Sequence, residues 1–154
     1  MRDGSVGLAP MTAVLGFLRA EGEPYHAVMK RAGLYAADWT VDSLSAPRRR
    51  FIQALPRWVR LRVALRLAAG TIRSGYEPTK AKVRVRRNHA RFEVKNSLFC
   101  RVRAPQGAPL CDFHAALIVQ MLRRFDLPST VTIEQCTGTH SEFCAVAIEI
   151  GMAE

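Results

Sequence analysis

The sequence predicts an α+β domain in which helices pack on an antiparallel sheet. Two segments, Arg57 to Arg73 and Asp112 to Phe125, repeat their apolar residues at helical spacing. Two others, Lys82 to Lys95 and Thr130 to Ile150, alternate apolar and polar residues as half-buried strands do. Along the chain the order is helices, hairpin, helix, hairpin. The 154 residues suit one domain, helical over 1–78 and built of sheet plus helix over 79–150.

Pro10 opens a helix through Met11 to Ala20, which Glu21-Gly22-Glu23-Pro24 stops. A second helix runs from Tyr25 to Ala32, closed by Gly33. No period dominates from Leu34 to Leu44; Tyr35 and Trp39 are expected to anchor this stretch to the core. Ser45 is an N-cap with Pro47 in the turn that follows, and the helix from Ala46 is interrupted near Pro56. In the segment from Arg57, the residues Trp58, Leu61, Leu65, Ala68, Ala69 and Ile72 face the core, with Arg62, Arg66 and Arg73 opposite. Gly75 and Pro78 end it.

An Asn88-His89 turn pairs Val85 with Phe92 and Val83 with Val94 on the inner face. On the outer face it pairs Arg84 with Glu93, Arg86 with Arg91 and Lys82 with Lys95. Asn96 to Arg103 is expected to extend the sheet, and Pro105 to Pro109 forms a loop. In the next helix Leu117, Ile118, Met121, Leu122 and Phe125 point inward, and His114 shares their stripe. Val131 and Ile133 lie on the following strand. A polar loop from Thr137 to Glu142 leads to a last strand with Cys144, Val146, Ile148 and Ile150 on one face.

Charge is concentrated in the middle. Ser43 to Pro105 carries 17 Lys and Arg against two acids, whereas the whole chain has a net charge of +10. Such a segment offers a face to an anionic ligand, an acidic partner or nucleic acid, although a solvated basic face is the commoner outcome. No nucleic-acid-binding signature accompanies it. No apolar run reaches the length of a membrane span, and the stretch Leu8 to Leu18 is broken by Pro10 and Gly16. These features predict a soluble cytoplasmic protein.

The four cysteines, Cys100, Cys111, Cys136 and Cys144, are too few and too scattered for a secreted disulfide framework. Cys136 and Cys144 straddle a hairpin loop, and Cys111 opens the preceding helix. Together these thiolates suit zinc, with a fourth donor from Glu134, His140 or His114. Cys100 and Cys144 also read as small core residues. Strict alternation sends Cys136 and Cys144 to opposite faces unless a bulge or the loop intervenes.

From about Lys95 to Ile150 the chain resembles the 4-vinyl reductase, or hydrocarbon-binding, domain family. The resemblance rests on Asn96-Ser97 before an apolar segment, on Cys111 opening an amphipathic helix, and on the Glu134 and Cys136 cluster. Phase and order continue through the polar loop to Phe143-Cys144 and the final apolar strand. It implies a fold related to subunits of the TRAPP trafficking complex, a pocket for a small, largely apolar molecule, and a homodimer. It also implies zinc held by Cys111, Glu134, Cys136 and Cys144. Only Gln135 separates Glu134 from Cys136, where the family has two residues, and His140 stands where the family has glycine.

The resulting expectation is a sensor or carrier domain for a hydrophobic or aromatic ligand. Trp58, Leu61, Leu65, Phe92, His114, Ile118 and Met121 would line its pocket, and basic groups at the rim would hold an anionic group. The alternatives are a basic interaction module and a reductase subunit of tetrapyrrole metabolism. No dinucleotide fingerprint or catalytic constellation supports an enzyme.

Overall fold

Proline and glycine punctuation divides the N-terminal half into four helices: α1 (Leu8–Ala20), α2 (Glu23–Asp42), α3 (Ala46–Ala54) and α4 (Arg57–Gly75). The structure, a computed structural model, describes residues 8–20, 23–75, 78–101 and 106–151. Then follow β1 (Lys80–Arg86), β2 (His89–Lys95), α5 (Asp112–Arg124), β3 (Ser129–Gln135), a 3-10 turn (Thr137–Thr139) and β4 (Cys144–Ile150). All pairings are antiparallel and the strand order is β1-β2-β4-β3. The two hairpins thus join through β2 and β4. The helices α4 and α5 rest on the sheet, α4 against β1 and α5 against β3, and α2 lies along α5. This is the α+β architecture the alternation and helical periods predict.

One core connects the layers. Leu61 and Leu65 of α4, Ile118 and Met121 of α5, Phe92 and Val94 of β2, and Val146 and Ile148 of β4 are all buried in it. Polar contacts pin α2 to α5 at its rim: Arg124 pairs with Asp38 at 2.9 Å and with Asp42 at 2.5 Å, and the Gln120 amide donates to Asp38 at 2.8 Å.

Several expectations need correction. The helix expected to close at Gly33 continues to Asp42. Its inward row is Tyr25, Met29, Gly33, Ala37 and Val41, every fourth residue and all buried. A Cβ at position 33 would lie 2.4 Å from the Phe113 carbonyl oxygen of α5. Gly33 therefore permits a close helix crossing rather than ending a helix. The bulky residues point away from this row: Tyr35 is 72% and Trp39 68% exposed. Trp58, in the first turn of α4, is likewise exposed and lies 5.5 Å beneath the Arg62 guanidinium.

The first hairpin turns at Arg87-Asn88, one residue earlier than expected. Arg87 takes a left-handed φ of 47°, and the Asn88 carbonyl accepts the Ile150 amide at 2.8 Å. The observed pairs are Val83 with Phe92, Val85 with Ala90, Arg84 with Arg91 and Lys82 with Glu93. A two-residue slide preserves the faces, because side chains alternate with period two. The sheet does not continue past Lys95. Asn96 adopts φ 57° and its side chain donates to the Pro78 carbonyl at 3.2 Å, which turns the chain into an irregular segment. The expected helix break at Glu21-Gly22 and the stretch from Val102 to Pro105 lie outside the described residues.

Candidate metal centre and ligand cleft

Four separate pieces of chain deliver the cysteines. Cys100 sits on the irregular segment after β2, Cys111 immediately before α5, Cys136 just past β3, and Cys144 at the start of β4. All four are buried and free, and their sulfurs lie within 4.8 Å of one another. Cys100 and Cys111 are 3.3 Å apart and Cys136 and Cys100 3.6 Å. Tetrahedral zinc with Zn–S of about 2.3 Å sets sulfurs about 3.8 Å apart, so the donor set fits the ion.

A bulge makes this possible. The β3–β4 ladder runs Ile133 with Val146 and then Gln135 with Ala145, leaving Glu134 as the extra residue. The shift turns Cys136 to the inner side with Cys144 and removes the conflict that strict alternation poses. Gly138 lets the following turn pack closely. A Cβ there would stand 2.9 Å from the Leu110 side chain and 3.4 Å from the Cys136 sulfur.

Backbone donors point at two of the sulfurs. The Leu110 N–H donates to Cys136 at 3.2 Å and the Thr137 N–H to Cys144 at 3.4 Å. Hydrogen bonds with Cys100 and then Cys111 lower the Cys136 and Cys144 thiols from their ordinary range. Cys111 is pushed up, first by its hydrogen bond with Cys100. Proton sharing of this kind favours thiolate in part of the cluster, the form that binds metal. Four protein donors would leave no open position on a tetrahedral ion, the arrangement of structural sites.

Two expected ligands are not part of this cluster. Glu134 stays on the outer face of the sheet, where Arg91 reaches it at 3.5 Å. Arg91 also lies 3.6 Å from Glu93. His140 is exposed and left-handed, with φ 80°, at the end of the 3-10 turn. Cys100 is the fourth member of the cluster instead. The signal for it was present in the sequence: every cysteine falls within Cys100 to Cys144, and none in the preceding 99 residues.

Beside the cluster lies His114, whose Nε2 is 2.7 Å from the Ser97 hydroxyl. Its Nδ1 is buried without a partner among the described residues. Phe99 and Phe113 stack at 4.3 Å and both present edge-on geometry to the imidazole. Burial lowers the His114 pKa to about 4. In the unfolded chain a histidine takes a proton near pH 6.5, so acid favours unfolding until the folded state protonates too. Stability is expected to fall by roughly 3 kcal/mol as pH drops from about 6.5 to about 4, and His114→Gln to flatten that slope. Urea titrations across this range check it; an unchanged slope in the variant would contradict it. His26 finds a partner in Asp112, at 2.5 Å from Nδ1.

Of the residues expected to line a pocket, Leu61, Leu65, Phe92, His114, Ile118 and Met121 are buried in the packed interior, and Trp58 is on the surface. A cleft of about 670 Å³ opens instead between α2 and α4. Trp39, Leu44, Leu67 and Phe113 supply its apolar wall. Thr40 and Thr71, with hydroxyls 3.0 Å apart, and Arg66 supply its polar groups. None of the described helices is long and apolar enough to cross a membrane.

The same fold occurs in several solved structures. The chain is similar over 97% of its length to 77% of the phenol-responsive sensory domain of the transcription activator PoxR with phenol, at TM-score 0.62 and 13% identity. It is similar over 94% to 93% of a trafficking protein particle complex subunit 3 from Naegleria fowleri covalently bound to palmitic acid, at TM-score 0.59 and 10% identity. An H-NOX protein from S. oneidensis in the Fe(II)NO ligation state matches 99% of the chain over 80% of its own, at TM-score 0.55 and 13% identity. No protein-family model and no curated protein matches the chain.

Proposed function

We propose that this chain is a ligand-binding sensor domain of the 4-vinyl reductase kind, dimeric and stapled by one zinc ion on Cys100, Cys111, Cys136 and Cys144. The observation that carries the ligand reading is the cleft between α2 and α4: about 670 Å³, with apolar walls and a few hydroxyls. Small-molecule sites have this size and composition. Its ligand is small and aromatic or aliphatic. Arg66 at the cleft would pair with a carboxylate or phenolate. The likeness in fold to a sensory domain with phenol and to a subunit bound to palmitic acid supports the same reading. When bound, zinc would supply a rigid crosslink among four chain segments. The residues themselves position His114 and Phe113 by holding the start of α5. Exposed Val14 and Phe17 on α1 and Val28 on α2 support the dimer.

Native mass spectrometry of the purified protein, followed by thermal shift with phenol, benzoate and decanoate, tests this reading. A ligand at about a hundred times its Kd should stabilise the fold by about 2.7 kcal/mol, roughly 5–10 °C. Leu67→Trp, which fills the cleft, should remove the shift. No bound ligand and no shift with any of the three compounds would sink the proposal.

A further inference from the structure

Along the other flank of α4, sharing Arg66 with the cleft, a second groove of about 430 Å³ runs along the free edge of β1. Among the described residues β1 pairs only with β2, so one side of its backbone is unpaired in the sheet they form. Its inner residues Ala81, Val83 and Val85 are only half-buried, whereas Ala90, Phe92 and Val94 of β2 are fully covered. Above this uncovered strip stand Arg62, Arg66 and Arg73 of α4, and Lys82 of β1 reaches over the rim. All four side chains are exposed. None has a carboxylate within ion-pair distance among the described residues.

We propose that this groove docks an extended, acidic peptide segment of a partner protein, which adds to the sheet as a strand beside β1. An unpaired edge offers main-chain hydrogen bonds to such a strand, and adjoining side-chain contacts decide which sequence it accepts. The dimensions agree. Arg62 to Arg73 spans about 16 Å of helix at about 1.5 Å per residue. Inner-facing side chains of an added strand recur about every 6.6 Å, so three fit beneath the arginine row. Acidic residues at alternate positions would meet the guanidinium groups, while their neighbours face solvent. Ala69, Ala81, Val83 and Val85 form an apolar floor for the stems of those side chains. A second copy of this chain does not suit the site, because its own β1 edge would bring the same cations against them. Charge on an edge strand blocks such self-pairing, and here it also selects an acidic partner.

The test uses the full chain and a fluorescein-labelled peptide of alternating glutamate and valine, read by anisotropy. Saturable binding is expected, with a lysine–valine peptide inert. Arg62→Glu with Arg73→Glu, both on the surface and outside the α2–α4 cleft, should weaken it about tenfold or more, with an unchanged circular dichroism spectrum and melting temperature. N-methylation of alternate peptide amides should abolish binding in one register and spare it in the other, because only one edge of the added strand pairs. Equal binding of both N-methylated forms would overturn the proposal, as would competition by single-stranded DNA at the same affinity and salt slope. So would the absence of binding.

Discussion

Cys136→Ser should lose the metal proposed for the four cysteines and lower the melting temperature by roughly 10 °C. Four buried sulfurs from four chain segments meet at this point, and metal bound only by the folded state contributes its binding free energy to folding. Losing one ligand should cost about 4 kcal/mol, which for a chain of this size is roughly 8–16 °C. Cys100→Ser should behave alike, since its sulfur stands 3.6 Å from that of Cys136. Glu134→Gln should leave metal content untouched and change stability by about 0.5 kcal/mol or less, because the carboxylate is a partly exposed partner of Arg91 on the outer face. Elemental analysis and thermal melts of the three variants decide the ligand set. Retention of metal in Cys100→Ser with loss in Glu134→Gln would restore the set of three cysteines and a glutamate. A metal-free wild-type protein that melts with Cys136→Ser would remove the centre altogether.

Gly33→Ala destabilises the protein by about 2 kcal/mol. In an exposed helix interior the same change usually stabilises by about 1 kcal/mol, because alanine is the better helix former. Here the new methyl would sit 2.4 Å from the Phe113 carbonyl oxygen and 3.0 Å from the Leu117 nitrogen, both backbone atoms of α5. Neither atom yields without moving a helix, and overpacking of this kind typically costs about 1–3 kcal/mol or more. The steric term therefore outweighs the propensity gain. Gly70 of α4 has no atom within 4 Å of its missing Cβ, so Gly70→Ala should be stabilising and serves as the control. Chemical denaturation of both variants measures the contrast; a Gly33→Ala that stabilises as Gly70→Ala does would show that α2 and α5 do not approach this closely in solution.

Both predictions rest on contacts between elements that spacing along the chain does not report. The α4 stripe of Leu61, Leu65, Ala68, Ala69 and Ile72 was legible because a helix repeats its inner face by sequence spacing alone. The β4 stripe of Cys144, Val146, Ile148 and Ile150 was legible for the same reason at period two. Gly33 was misread because a glycine that ends a helix and one that admits a neighbouring helix look alike in one dimension. Trp39 and Trp58 were misplaced because a large apolar side chain raises the prior for burial without saying which way its helix faces. Cys111, Cys136 and Cys144 were found through their spacing around a loop. Cys100 falls in the stretch expected to extend the sheet, and nothing local reports the turn that Asn96 makes.

By itself, then, the sequence determined the class of fold, the inner faces of its longest elements, and the segment where charge collects, since periodicity and composition are local properties. Tertiary structure alone decided which sulfurs meet. The bulge at Glu134 and the irregular segment after β2 bring Cys136 and Cys100 together across 36 positions of chain. It also decided that Arg62, Arg66 and Arg73 overhang an open strand edge rather than plain solvent. Both facts depend on distances between elements, and those are set by close packing of side chains that no spacing along the chain encodes.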